Sequence, residues 1–197
     1  YFIGQQKYAA KQWEQAAKFF AIAAAKPGDA TLNEKAHYRM GWSYFNLGDY
    51  DKSEQAFSDQ SARHSNGAFA FDAEMMVGES RFKRKDYKTS LSAYEKARNW
   101  IRDKNETSQT IRDGSERQIR ELAFLHGGQS AAQLKQWDEA IEWYDELRKR
   151  FPTTAYLPQA FYETGFAYQQ KGDPANALRF YSQVADKYRN ELAAREI

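Results

Sequence analysis

The side chains best suited to metal chemistry in this sequence are three histidines, His37, His64 and His126. None of them has a second ligand three or four residues away on the same helix face, the spacing that brings two ligands to one ion. The chain contains no cysteine, which excludes disulfides and thiolate metal sites. We therefore expect neither a metal ion nor a cofactor, and we interpret His37 as a packing residue.

Paired carboxylates are the remaining groups that could perform acid–base catalysis. They occur on exposed helical faces, as at Asp138, Glu139 and Glu142, where solvation is the usual role of acidic residues. The sequence contains no nucleophile elbow, no phosphate-binding glycine loop and no zinc-binding helix pair. It therefore predicts a protein that is not an enzyme.

Lysine and arginine concentrate in residues 81–88, where Phe82 and Tyr87 are interleaved with them in a pattern that nucleic-acid binders also show. The neighbouring Asp72 and Glu79 offset the positive field of this segment. The whole chain has 29 basic and 27 acidic residues, a formal net charge of +2. We interpret the basic segment as a solvated turn and expect no nucleic-acid partner.

No stretch of the sequence is apolar enough to cross a bilayer. The longest run without a polar residue, Phe19–Ala25, has 7 residues, whereas a spanning helix needs about 20. The chain is 42% apolar and 28% charged, a composition typical of well-mixed globular proteins. We expect no membrane span.

An internal repeat supplies the elements that position these side chains. The segment Lys11–Ala16 recurs almost unchanged as Lys135–Ala140, and five units align on a glycine near the middle of each unit's first helix. Successive glycines are 37, 37, 50 and 37 residues apart; they are Gly4, Gly41, Gly78, Gly128 and Gly165. Apolar residues follow a helical period that a short turn interrupts about seven residues after each glycine. Each unit is therefore predicted to be a helix pair, and the small glycine should let its two helices approach closely.

The predicted organisation is a single array over residues 1–197. Its repeats occupy residues 1–33, 34–70, 71–114, 117–154 and 158–189. The long third interval predicts a polar loop over residues 99–114 that protrudes from the array, and residues 190–197 resemble the start of a further helix.

These units resemble the tetratricopeptide repeat, whose signature places large apolar, glycine, alanine and aromatic residues at fixed positions of a helix pair. The fourth unit carries the pattern most completely, in Phe124, Gly128, Ala131, Trp137, Ala140, Tyr144, Leu147 and Pro152. The resemblance extends over essentially the whole chain. It implies an all-α fold, a right-handed superhelical solenoid of about five helix pairs.

The repeat length adds a second resemblance. The common tetratricopeptide repeat has 34 residues, so a spacing of 37 implies three additional residues between pairs, as in residues 150–158. That segment is similar to one found in cell-envelope repeat proteins of Gram-negative bacteria, of the Tol-Pal-associated and outer-membrane-assembly lipoprotein types. The resemblance implies a location in the periplasm or cell envelope, with the cytoplasm as the alternative.

One face of each first helix is predicted to contact a partner. Residues six and three before the glycine, and one, four and five after it, lie opposite the side that packs on the second helix. In the resembled family this first-helix face lines a concave groove. The expected groove residues are Tyr8, Tyr38, Trp42, Phe45, Asn46, Met75, Phe82, Leu125, Gln129, Gln133, Tyr162, Phe166 and Gln169. Two interpretations stay open, because these side chains could either bind a ligand or pack on the neighbouring first helix.

Aromatic and amide side chains suit an extended peptide or a helix, since rigid rings give contact area and amides bond main-chain groups. The sequence therefore predicts a scaffold that binds a peptide or helix of a partner protein. The alternatives are a structural spacer or self-association module, and a substrate-recruiting arm of an enzyme. Residues Phe180, Val184 and Tyr188 lack a covering repeat in this arrangement, so self-association through the C-terminal helix is also expected.

Overall fold

The computed structural model describes residues 1–26, 28–111 and 114–193, with side chains throughout except at 115 and 189–193. Within these ranges the chain forms helices joined by turns, and no strand is present. The helices are α1 (Phe2–Ala9), α2 (Trp13–Ala24), α3 (Ala30–Leu47), α4 (Tyr50–Arg63), α5 (Ala70–Lys83), α6 (Tyr87–Asp103), α7 (Gly114–Gln133), α8 (Trp137–Arg150), α9 (Leu157–Gln170) and α10 (Pro174–Ala193). The all-α fold predicted from the repeat pattern is confirmed.

Two compact units divide the chain, Tyr1–Ala93 and Tyr94–Ile197, with the boundary inside α6. In the first unit α1 contacts α2, α2 contacts α3, α3 contacts α4 and α4 contacts α5. In the second unit α7, α8, α9 and α10 contact one another in the same consecutive order, and α7 also contacts α9. A single array over the whole chain stays a prediction.

A glycine in the first helix lets the two helices of a pair approach each other closely. The ring of Phe57 on α4 lies directly on Gly41 of α3, and the ring of Tyr181 on α10 lies on Gly165 of α9. A Cβ added at either glycine would come within 2.8 Å of a ring carbon, closer than real Cβ contacts. The same arrangement joins Gly4 to Phe20 and Gly128 to Tyr144. Each glycine is therefore required by the aromatic residue of its own pair.

The turn inside each pair has one geometry at all five repeats. Its central residue adopts a left-handed conformation with φ between 55° and 82°; these residues are Lys11, Gly48, Lys85, Lys135 and Gly172. At the second repeat the Gly48 amide donates to the Phe45 carbonyl and the Asp49 amide donates to the Tyr44 carbonyl. The same two hydrogen bonds recur at the other four turns and satisfy the last carbonyls of each first helix.

The residue that follows the left-handed residue of this turn immediately precedes the second helix. At Asp49 and Asp173 the side-chain carboxylate accepts a hydrogen bond from the amide three residues later. Gln12 and Gln136 occupy the same position without a side-chain cap. Hydrogen bonds to the side chain and amide of Lys52 hold the pKa of Asp49 below its ordinary value, because they stabilise the carboxylate.

The third pair differs from the expected layout. Helix α6 continues through Asp103, so residues 99–103 are helical and the loop is shorter than predicted. Residues 112–113 of the predicted loop lie outside the described residues. At the C-terminal end α10 continues unbroken to Ala193, so no new helix starts at residue 190. The remainder of that predicted helix, residues 194–197, also lies outside the described part.

Candidate functional site

A cluster of aromatic side chains on the first-helix face is the main feature of the first unit. Tyr38, Trp42 and Phe45 fall on one side of α3 because they are four and three residues apart. The Trp42 ring lies 6.4 Å from Tyr38 and 5.6 Å from Phe45, both with edge-to-face geometry. We call these three residues the α3 aromatic cluster.

The α3 aromatic cluster rests on the core of the first unit. All three rings are half-buried against a buried group that includes Phe57 and Val77. Tyr38 also stacks on Phe69 at the start of α5, with ring centroids 4.5 Å apart and planes 17° apart. Each of the three side chains is thus packed against the core in part and exposed in part, and both interpretations of this face stay open.

The Tyr38 hydroxyl ties the cluster to the next first helix. It donates to the Asp72 carboxylate on α5 at 3.3 Å. Burial, and secondarily the negative charge of Asp72, raises the pKa of Tyr38 above its ordinary value. The hydroxyl therefore stays protonated and acts as a fixed donor between α3 and α5.

Polar groups border the cluster on the side of α1. The exposed Asn46 donates through Nδ2 to the Tyr8 hydroxyl and to the Trp42 carbonyl, both at 2.9 Å. The Arg39 guanidinium lies over the Tyr8 ring, 5.4 Å from its centroid. An exposed amide, a cation and half-buried aromatic rings thus lie together on this face, and such groups can bind a main-chain segment and its side chains.

Amide and aromatic side chains also occupy the first-helix face of the second unit. Gln129 on α7 donates to the Glu163 carboxylate on α9 at 3.3 Å. Burial raises the pKa of Glu163, although hydrogen bonds from Gln129 and Gln159 partly oppose that shift. Phe166 lies 6.0 Å from Trp137, with edge-to-face geometry.

Three of the four exposed residues among the predicted groove residues belong to the second unit. Tyr162 is 53% exposed, and its ring centroid lies 5.6 Å from that of Tyr181. Gln133 and Gln169 are exposed, and Gln169 accepts a hydrogen bond from the Tyr181 hydroxyl at 2.8 Å. These three predicted residues are open to a partner without any rearrangement.

Two predicted groove residues are core residues instead. Met75 is 1% exposed and Leu125 is 2% exposed. Both lie three residues before their glycine, as do Tyr38 and Tyr162, so this position ranges from fully buried to open among the repeats. An unbranched or aliphatic side chain fits entirely into the packed layer there, whereas a tyrosine keeps its hydroxyl end near the surface. The remaining prediction on α5, Phe82, is half-buried and lies edge-to-face with Tyr87, 5.7 Å away.

Sequence reasoning missed three contributors to these faces. Arg39 and Glu163 each lie two residues before their glycine, just outside the part of the helix surface that the groove prediction covers. A slightly wider arc would have included both. Phe69 precedes the first residue of α5 and stacks on Tyr38, and no helical periodicity could have placed it there.

Several other charged or polar side chains of the first unit are engaged in ion pairs or hydrogen bonds. In the basic segment, Arg81 and Arg84 pair across helices with Glu54, and Arg84 also pairs with Asp51. His37 is buried and its Nδ1 bonds the Asn33 carbonyl at 3.0 Å. Across the described residues, no three histidine or carboxylate side chains are grouped so that they could hold a metal ion. In the same part of the chain, no helix is both long and apolar enough for a transmembrane segment.

Consecutive helix pairs with one repeated geometry define a helical-repeat protein. Proteins of this class present extended surfaces to partners. Sequence models described as tetratricopeptide repeat match residues 38–104 and, separately, residues 122–154 and 159–190. These segments make up well over half of the chain. The chain belongs to the tetratricopeptide repeat family.

Solved structures of low sequence identity share the fold of this chain. A double mutant of MamA RS-1 is 20% identical, with 96% of this chain and 92% of that chain covered at a TM-score of 0.74. MamA from Desulfovibrio magneticus RS-1 is also 20% identical, with coverages of 95% and 92% and a TM-score of 0.73. The apo form of RapI is 13% identical at a TM-score of 0.77, and the match covers 94% of this chain and 52% of RapI. No curated protein matches the chain.

Proposed function

We propose that this protein is a non-catalytic scaffold whose first-helix faces bind a peptide or helix from a partner protein. The observation that carries the proposal is the α3 aromatic cluster, whose side chains pack against the core and stay partly exposed to solvent. Rings that are already ordered lose little conformational entropy on binding. The adjoining Asn46 supplies a polar contact of the kind that sets the register of a bound main chain.

Residue-specific cross-linking tests this proposal directly. A photo-cross-linking amino acid at position 46, on a first-helix face of the first unit, and one at position 162, on a first-helix face of the second unit, should each capture a partner segment. The matched control is position 100, where Trp100 is exposed on the second helix α6. Equal capture from position 100, or no capture from the two first-helix positions in an extract of the source cells, would contradict the proposal.

Substitutions then measure the contribution of this face to affinity. Asn46→Ala and Tyr162→Ala remove exposed side chains, so they should leave thermal unfolding nearly unchanged. We expect each to weaken binding of the captured segment by about tenfold, the range of a single well-placed interface contact. Trp100→Ala should bind like the parent chain.

Self-association is a second candidate function, favoured by an exposed apolar residue on α10. Leu178 is 67% exposed on the last described helix of the second unit. Such a side chain can pair with a second copy of the same helix. Sedimentation over a concentration series would show a dimer that Leu178→Glu dissociates; a monomer at all concentrations would remove this candidate.

For location we propose the periplasm or cell envelope of a Gram-negative bacterium. The support is the 37-residue repeat spacing and the character of residues 150–158. In that segment Phe151 and Thr154 are buried and Pro158 lies in the first turn of α9, so part of the connection is packed. Recovery of the protein with a cytoplasmic marker during fractionation would contradict this location.

A further inference from the structure

Residues 104–111, which lengthen the third repeat, contact α7 and α8 within the second unit. The Ser108 amide donates to the Arg150 carbonyl at 3.1 Å, and Arg150 Nη1 donates to the Glu106 carbonyl at 3.1 Å. The Glu106 carboxylate pairs with Arg120 at 3.0 Å, and Ile111 is buried. These contacts fix residues 104–111 against α7 and α8, which contradicts the expectation of a protruding loop.

Fixing this segment creates a cavity of about 540 Å³ within the second unit. The last turns of α6 form one wall, α8 forms another, and Asn105 and Thr107 of the inserted segment close a third. The lining is dominated by charged side chains, and its rim includes the exposed Asn105, Glu142 and Lys149. The cavity is therefore open enough for a chain segment to enter.

Three guanidinium groups converge on one carboxylate in this cavity. Arg98 Nε donates to Glu146 Oε2 at 2.9 Å, and Arg150 Nε donates to Glu146 Oε1 at 2.7 Å. Arg102 contacts both oxygens of Glu146, the shortest distance being 2.6 Å from Nη2 to Oε2. Arg98 also lies over the Trp143 ring at 4.3 Å, so its position is fixed by packing.

The charges in the cavity do not balance. Three arginines surround the single negative charge of Glu146, and Lys149 adds a further positive charge to the lining. Asp145 is already paired with Arg148, which leaves Glu142 as the one further acidic side chain among the described residues of the lining. Burial raises the pKa of Glu146, but hydrogen bonds from Arg102, Arg150 and Arg98 outweigh it and lower the pKa to about 2. The residual field in the cavity is therefore positive.

We propose that this cavity binds an acidic segment of a partner protein, with a carboxylate side chain of that segment seated between Arg102 and Lys149. Arg102 is 42% exposed, so part of its guanidinium is available to a second anion beside Glu146. The exposed rim favours an extended peptide over an enclosed small ligand. This site is independent of the first-helix faces, and it gives the inserted segment a function as a wall of the site.

Binding of a fluorescein-labelled hexaglutamate peptide, measured by anisotropy, tests the proposal. We expect saturable binding to the full chain that weakens as salt rises, and none for hexalysine. Arg102→Gln and Lys149→Gln should each weaken binding by about tenfold, as expected for the loss of a charge-assisted contact. Glu142→Gln should strengthen it by about threefold, because it removes a competing negative charge.

The matched control is Arg84→Gln, which removes an arginine of similar exposure from an ion-pair cluster in the first unit. It should bind hexaglutamate like the parent chain. Equal weakening by Arg84→Gln would indicate general charge attraction and overturn the site. Displacement of the peptide by millimolar inorganic phosphate at constant ionic strength would overturn the assignment to a peptide and indicate a small-anion site. Binding of hexalysine, or unchanged binding by both the Arg102 and Lys149 variants, would overturn it as well.

Discussion

Gly41 of α3 lies directly beneath the ring of Phe57 of α4, and a Cβ added at Gly41 would come within 2.8 Å of two ring carbons. The pair is separated by 16 residues, as are Gly4 and Phe20, Gly128 and Tyr144, and Gly165 and Tyr181. The contact therefore explains why a glycine, a poor helix former, recurs in the middle of a helix.

Replacing Gly41 with alanine should destabilise the protein although alanine favours helix. The added methyl group must displace a fully buried ring, a cost of about 1–3 kcal/mol for overpacking, which exceeds the gain of about 1 kcal/mol in helix propensity. Urea denaturation would measure the difference. The control is Gly114→Ala, because no atom lies within 4 Å of the added Cβ; that variant should be as stable as the parent chain. Greater stability for Gly41→Ala would show that Phe57 moves without cost.

A second prediction concerns the left-handed turn residue Lys135, which has φ of 60°. A non-glycine residue pays about 1–2 kcal/mol in this conformation, and glycine loses about 0.5–1 kcal/mol through its freer unfolded state. Lys135→Gly should therefore raise the free energy of unfolding by about 0.5–1 kcal/mol. The reverse change, Gly172→Lys at the equivalent turn, should lower it by a similar amount. Thermal unfolding of both variants checks the prediction, and shifts of the same sign would refute it.

A third prediction concerns the Tyr144 hydroxyl, which is buried and has no hydrogen-bond partner among the described residues. Burial, together with the charge of Glu163, raises the pKa of Tyr144. Tyr144→Phe removes a buried hydroxyl that is not hydrogen-bonded, so we expect stability between unchanged and about 1 kcal/mol higher. In Tyr181→Phe, by contrast, the hydrogen bond to Gln169 is lost, and we expect about 0.5 kcal/mol of destabilisation. Chemical denaturation that ranked these two variants in the opposite order would count against the assignment.

A fourth prediction concerns pH and the buried His37. Burial lowers the pKa of His37 below the ordinary value of 6.5, and the nearby His64 and Arg63 lower it further. A hydrogen bond to the Asn33 carbonyl and the charge of Asp59 oppose this shift without reversing it. The unfolded chain therefore binds a proton at this position more readily than the folded chain does. Linkage requires the free energy of unfolding to fall as the pH drops below 6.5 and through the folded pKa.

Replacing His37 with glutamine should reduce that loss of stability between pH 7 and pH 5. Denaturation curves at several pH values would give the slope for each protein. Trp100→Ala changes no titrating group, so it should keep the slope of the parent chain. An unchanged slope in His37→Gln would show that other groups cause the acid sensitivity.

Much of the candidate site was predictable, and the exceptions have physical causes. Tyr38, Trp42 and Phe45 were found from their angles around α3, because helical geometry fixes which side chains share a face. Whether such a face is open depends on what lies against it, and Met75 and Leu125 occupy the same helical position as Tyr38 yet are buried. Periodicity along one helix carries no information about the neighbouring element.

The sequence by itself determined the helix pairs, their register and their family, because glycine, aromatic and turn positions recur at a fixed spacing and each repeat is stabilised by local contacts. Tertiary structure alone decided how the inserted segment is placed. Its position depends on contacts such as those between Glu106 and Arg120 and between Ser108 and Arg150, which are distant in the chain. The ion pairs of Arg98 and Arg102 with Glu146 also join residues that are far apart in the chain. Pairings of this kind do not recur from one repeat to the next, so they leave no periodic pattern in the sequence.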